Sequence, residues 1–86
     1  MSARTNSLYA KGAVVLDVSA DATWADTVDQ PIAFRAVGAG SVKVTGIDGV
    51  DVVHPVLDGE RVSLAIKKYF STSHGSSGIT SLIVYF

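Results

Sequence analysis

The run Ile32-Ala33-Phe34-Arg35-Ala36-Val37-Gly38-Ala39-Gly40-Ser41-Val42-Lys43-Val44-Thr45 decides the fold class. Two stretches of period-2 alternation flank a glycine-rich break, and strict alternation of this kind marks a half-buried strand. In the first, Ile32, Phe34 and Ala36 share one face and Arg35 takes the other. In the second, Val42 and Val44 point one way and Ser41, Lys43 and Thr45 the other. Pro31 opens the first strand, a position where proline is tolerated because the ladder has hardly begun. The short connection predicts that the two strands pair as an antiparallel hairpin.

The same grammar extends in both directions. Upstream, Ala13-Val14-Val15-Leu16-Asp17-Val18 reads as a strand. A polar, Asp-containing stretch with Trp24 follows at residues 19–30, expected as loop; a helical turn near residues 22–26 would be too short to stand alone. Downstream come a turn at Gly46-Ile47-Asp48-Gly49, a strand Val50-Asp51-Val52-Val53-His54 interrupted by Pro55, and a second turn at Leu57-Asp58-Gly59-Glu60. Arg61-Val62-Ser63-Leu64-Ala65-Ile66-Lys67 is the cleanest alternation in the chain, with Val62, Leu64 and Ile66 inward, and it continues into Lys68-Tyr69-Phe70. The Ser/Gly-rich residues 71–78 read as an exposed, flexible loop. The closing run, Ile79-Thr80-Ser81-Leu82-Ile83-Val84-Tyr85-Phe86, is apolar on both alternating faces and must be covered on both. One cover is the domain core; the other is expected to be a second subunit.

Short β-branched runs broken at regular spacing by Gly, Asp and Pro predict a small all-β domain, an antiparallel β-sandwich or barrel of about six to seven strands. Residues 13–86 make this single domain. Residues 1–12, largely polar but carrying Leu8 and Tyr9, read as an extended N-terminal arm, either a frayed tail or an arm that docks on a neighbour, with Leu8 and Tyr9 favouring docking.

Composition sets what such a domain needs. A chain of 86 residues buries too small a fraction of its surface to be very stable alone, and zero cysteines exclude disulfide staples and thiolate metal sites. Hydrophobic residues make up 48% and charged residues only 17%, against about 25% charged in an average domain. The apolar runs stay well short of the ~18 residues needed to cross a bilayer, so the excess reads as subunit interface rather than membrane span. A net charge of −1 offers no field for nucleic acid. With no apolar signal segment near Met1, synthesis in the cytoplasm is expected.

Residues that could carry chemistry are few. His54 and His74 are the only histidines, and no G-x-S-x-G elbow surrounds any serine. Gly38-Ala39-Gly40-Ser41-Val42-Lys43 lacks the phosphate-loop spacing and leads into a strand rather than a helix. Asp48, Asp51, Asp58 and Glu60 do not follow calcium-loop spacing; Asp48 and Asp58 each precede Gly, where the side chain shapes a turn. No enzyme, cofactor or metal site is expected.

Four segments resemble a family of small virion proteins of tailed bacteriophages and gene-transfer agents, the capsid spike-base and head-decoration proteins. They are the strand at residues 13–18 with its Asp-containing successor; Ile32 through Val44, including Val37-Gly38-Ala39-Gly40 and Val42-Lys43-Val44; the turn and strand ending near Pro55-Val56; and Val62 through Phe70 with its Ser/Thr/Gly loop and final apolar strand. The chain departs from that family's pattern between Val50 and Leu57 and at Trp24. The resemblance covers about residues 13–86. It implies a non-enzymatic protein on the capsid exterior of the virion: a vertex spike base, or a cement protein decorating the shell. Its implied partners are copies of itself in a pentamer or trimer, the major capsid protein, and a spike or fibre protein. The residues expected at such contacts are Leu8, Tyr9, Trp24, Tyr69, Phe70, Tyr85 and Phe86, with Trp24 serving either as an interface anchor or as a plug over the open end of the sandwich. The alternative is a carbohydrate- or ligand-binding β module using Trp24, Tyr69 and Tyr85 as an aromatic platform.

Overall fold

In the computed structural model, residues 12–24 and 30–86 are described. They contain eight strands and no helix: β1 (Ala13–Leu16), β2 (Ala22–Thr23), β3 (Ala33–Val37), β4 (Gly40–Gly46), β5 (Asp51–Val56), β6 (Arg61–Val62), β7 (Ile66–Phe70) and β8 (Ser81–Tyr85). Two antiparallel four-stranded sheets result, ordered β1-β8-β3-β6 and β2-β7-β4-β5, and they form a small β-sandwich. Phe34, Ala36, Val62, Leu82 and Val84 from the first sheet meet Val42, Val44, Val56, Ile66 and Tyr69 from the second. Most of these are the inward positions that alternation marks. Fully burying a Val, Leu, Ile or Phe contributes roughly 1.5–3 kcal/mol, so this shared interior is the main source of stability.

The expected hairpin between residues 32–37 and 41–45 does not form. β3 lies between β8 and β6, whereas β4 lies between β7 and β5 in the other sheet. Alternation requires only that Phe34, Ala36, Val42 and Val44 reach an apolar interior, and a crossover between facing sheets meets that requirement as well as a hairpin does. The glycines favour the crossover. Gly38 adopts a left-handed φ of 90° and its N–H donates to Asp58 Oδ1 at 2.8 Å. Gly40 runs so close to residues 77–78 that a Cβ there would overlap the Ser77 carbonyl oxygen. Ser41 accordingly exchanges both backbone hydrogen bonds with Ser77, at 2.8 and 2.9 Å.

The run at residues 61–67 divides in the same way. Arg61 and Val62 belong to the first sheet, Ile66 onward to the second, and residues 63–65 cross between them with Leu64 packed against the core. A register shift then places one extra residue, Lys67, on β7 between the pairs Gly46↔Ile66 and Thr45↔Lys68. This bulge lets Ile66 and Tyr69, three apart, both face the interior. β5 passes through Pro55, which pairs opposite Ser41; as an edge strand it can turn the imide nitrogen away from β4.

Residues 71–78 form a largely exposed connection, as expected, but one tied into the sheets. Ser71 and Ser76 are buried, Ser76 Oγ donates to the Phe70 carbonyl at 2.7 Å and accepts the Lys43 N–H at 2.9 Å, and the Thr72 N–H donates to the Val18 carbonyl at 3.0 Å. The stretch expected as loop at residues 19–30 contains β2, paired with β7 through Ala22↔Tyr69 and Thr23↔Lys68, which replaces the start of the possible helical turn. Of the N-terminal arm, residues 1–11 lie outside the described residues; Gly12 is exposed and its carbonyl accepts the Phe86 N–H at 2.9 Å.

Candidate functional site

Of the residues expected at contacts, Leu8 and Tyr9 lie outside the described residues. Trp24 is partly buried against the core, meets Phe86 edge-on at 6.3 Å, and donates its backbone N–H to the Lys67 carbonyl. Phe86 is likewise partly buried there. Tyr69 is fully buried and its hydroxyl donates to the Val18 carbonyl at 3.0 Å, so its ring is enclosed within a single copy. Phe70 stands on the outer face of the second sheet, with the Lys43 and Lys68 ammonium groups 4.6 and 4.5 Å from its ring centre. Tyr85 stands on the outer face of the first sheet, with the Arg61 guanidinium 4.8 Å from its ring centre. Trp24 lies against Phe86 and the core just after the edge strand β2, Tyr69 is interior and Tyr85 stands on an outer face, so the three do not line up as one platform.

The structure brings together one constellation that spacing in the chain does not announce: Asp21, Ser71 and His74. Asp21 Oδ1 accepts the Ser71 backbone N–H at 2.7 Å and lies 3.0 Å from His74 Nδ1, which is also 3.2 Å from Ser71 Oγ. The His74 hydrogen bond, then the Ser71 N–H, hold the Asp21 carboxyl down at about 2. These are the residue types of a hydrolytic triad, but not its wiring. A triad base uses one ring nitrogen for the carboxylate and the other for the nucleophile, whereas here both groups meet Nδ1. Ser71 is 1% exposed, which leaves its hydroxyl no route to a substrate. The cluster clasps the connection before β2 to the connection after β7. No sequence signal finds it, because Asp21 and His74 are 53 positions apart and neither sits in a motif. Among the described residues, no three His, Asp or Glu side chains converge as metal ligands.

Exposed apolar surface collects at the sheet edges instead. β2 and β6 are edges of two residues each, short enough to be blunt, while β1 and β5 are longer. Among the described residues, seven of the eight exposed large hydrophobics lie on or beside those longer edges: Val14 and Val15 on β1, Val52 and Val53 on β5, and Ile47, Val50 and Leu57 flanking β5. The eighth is Val37. None of them was among the aromatics expected at contacts, because a sequence does not say which strand ends up at an edge. No protein-family model matches the chain, and neither a curated protein nor a solved structure shows significant similarity to it.

Proposed function

We propose that this protein is a non-enzymatic assembly subunit, a structural virion protein of a tailed bacteriophage acting as capsid decoration or as a vertex spike base. The observation that carries the assembly part of the reading is the concentration of exposed valine, isoleucine and leucine on the two long sheet edges. An apolar edge strand that lacks a charge or proline, as β1 does, is a template for pairing with another chain, and the exposed apolar side chains on and beside β5 add surface for a partner to cover. The virion part rests on the resemblance of residues 13–86 to the spike-base and decoration family. Its partners on this reading are further copies of the chain and the major capsid protein, and its place is the capsid exterior.

Two measurements test it. Sedimentation at micromolar concentration is expected to show an oligomer; a monomer at every concentration would sink the assembly reading. Mass spectrometry of purified particles is expected to find the chain at a fixed copy number, small for a vertex protein and severalfold larger for a shell-wide cement. Its absence from particles would remove the virion assignment and leave the assembly reading standing.

A further inference from the structure

Among the described residues, the two long edges differ in how many backbone groups they leave unpaired. Antiparallel pairs alternate between residues that exchange both backbone hydrogen bonds with their partner and residues whose N–H and C=O point the other way. On β5, the Gly46 N–H to Val50 carbonyl bond fixes the phase: Val50, Val52, His54 and Val56 bond to β4, and Asp51, Val53 and Pro55 face the free edge. Pro55 has no N–H to offer, and its carbonyl is met at 2.9 Å by Nδ1 of the neighbouring His54. Asp51 adds a carboxylate at the other end, held at 2.7 Å by the Thr45 hydroxyl. A prolyl residue, a self-capped carbonyl and a charge are the devices that keep an edge from pairing.

β1 has none of them. The Phe86 N–H to Gly12 carbonyl bond sets its phase, so Val14 and Leu16 bond to β8, and Ala13 and Val15 turn both N–H and C=O outward. The strand Ala13-Val14-Val15-Leu16 carries no charge, no proline and no bulge, and Val15 is 65% exposed. The outward groups at 13 and 15 are placed symmetrically about Val14. A second β1 laid antiparallel with Val14 opposite Val14 would match Ala13 to Val15 and Val15 to Ala13, closing four backbone hydrogen bonds around a twofold axis. Inward-facing Val14, 49% exposed at the open side of the core, would then cover its own counterpart. Outward-facing Val15 and Ala13 would join the apolar row of Ile83 and Tyr85 across the seam. A neutral strand gains nothing from a charged partner, and its own copy brings no like charge opposite it.

We propose that β1 is the assembly edge and that its occupant is β1 of a second copy, joining two first sheets into one eight-stranded sheet. This rests on the assembly reading above and departs from it in symmetry: a twofold seam builds dimers, where the family resemblance implies rings of three or five. The test uses paired proline substitutions. Val15→Pro and Val53→Pro each delete one outward N–H and leave the inner ladder bonds intact, at extended positions that proline accepts. Far-UV circular dichroism and thermal midpoints establish that both variants fold. Sedimentation equilibrium is expected to show a dimer for the unaltered chain and for V53P, and at least a tenfold rise in the dimer dissociation constant for V15P. A folded V15P that dimerises as tightly as the parent overturns the β1 seam, as does loss of assembly in V53P alone; both leave the assembly reading intact. If V15P does not fold, Val15 is changed to Lys instead, which keeps every backbone donor and sets a charge beside Ala13 of the partner; the same tenfold weakening is expected, and undiminished dimerisation overturns the seam. An unaltered chain that is monomeric throughout overturns both readings together.

Discussion

Asp21 joins two distant connections through a single carboxylate, and its ionisation couples that joint to pH. Its carboxyl titrates near 2 in the folded chain against an ordinary 3.8, chiefly through the His74 hydrogen bond and then the Ser71 N–H. The unfolded chain therefore binds the proton more readily, and the contribution of Asp21 is complete above about pH 4 and disappears as pH falls toward 2. Asp17, lowered by the Ser19 hydroxyl and N–H, acts in the same sense. Thermal midpoints of the parent and of Asp21→Asn should differ by a constant amount at neutral pH and converge between about pH 4 and 2. A gap that stays constant through that window would show that the clasp does not depend on the carboxylate. Tyr69 provides the opposite limb. Burial raises its hydroxyl above 10.0, so its share of stability is lost as pH rises past that value. Tyr69→Phe should cost about 1 kcal/mol in urea unfolding, the net worth of the hydrogen bond to Val18, and should flatten the alkaline fall.

At the level of strands, Arg35 and Arg61 sit directly opposite each other across β3 and β6, both exposed on the outer face of the first sheet. Like charges at directly opposed positions destabilise a sheet, so Arg35→Glu should raise stability by about 0.5 kcal/mol, a gain that 1 M salt largely removes. Denaturant midpoints at low and high salt measure both effects. Gly40→Ala should act the other way, costing about 2–3 kcal/mol or abolishing folding, because the obstacle is the Ser77 backbone rather than a side chain that can swing aside. Much of this was legible in the sequence: most strand identities, most inward positions and the Asp-Gly turns; Pro55, expected to interrupt its strand, instead lies within β5. Sheet membership was not legible. Alternation in residues 32–45 and 61–67 reports which side of a strand is apolar, and in a sandwich both sheets offer the same interior. The Asp21, Ser71 and His74 clasp was hidden for a related reason, since composition shows serines and glycines but not the buried partners that their hydroxyls and amides find.

For the molecule as a whole, the consequence of these crossings is that β4 and β5 form its sole hairpin among the described strands, while β1 waits for β8, β2 and β4 for β7, and β3 for β6 and β8. Closing such long loops must precede the contacts that reward it, so refolding should occupy milliseconds to seconds rather than microseconds. The single tryptophan, Trp24, packed against Phe86 and the core, gives the fluorescence signal to time it by stopped flow. The serine-rich residues 71–78 illustrate what the completed structure does to a segment with the composition of a linker. The N–H of Thr72 is bonded to Val18, that of Ser76 to Ser71, and that of Ser77 to Ser41 in a different strand. In deuterated solvent these amides should exchange with the slow, cooperative kinetics of the sheets, their protons released when the whole sandwich opens rather than one by one.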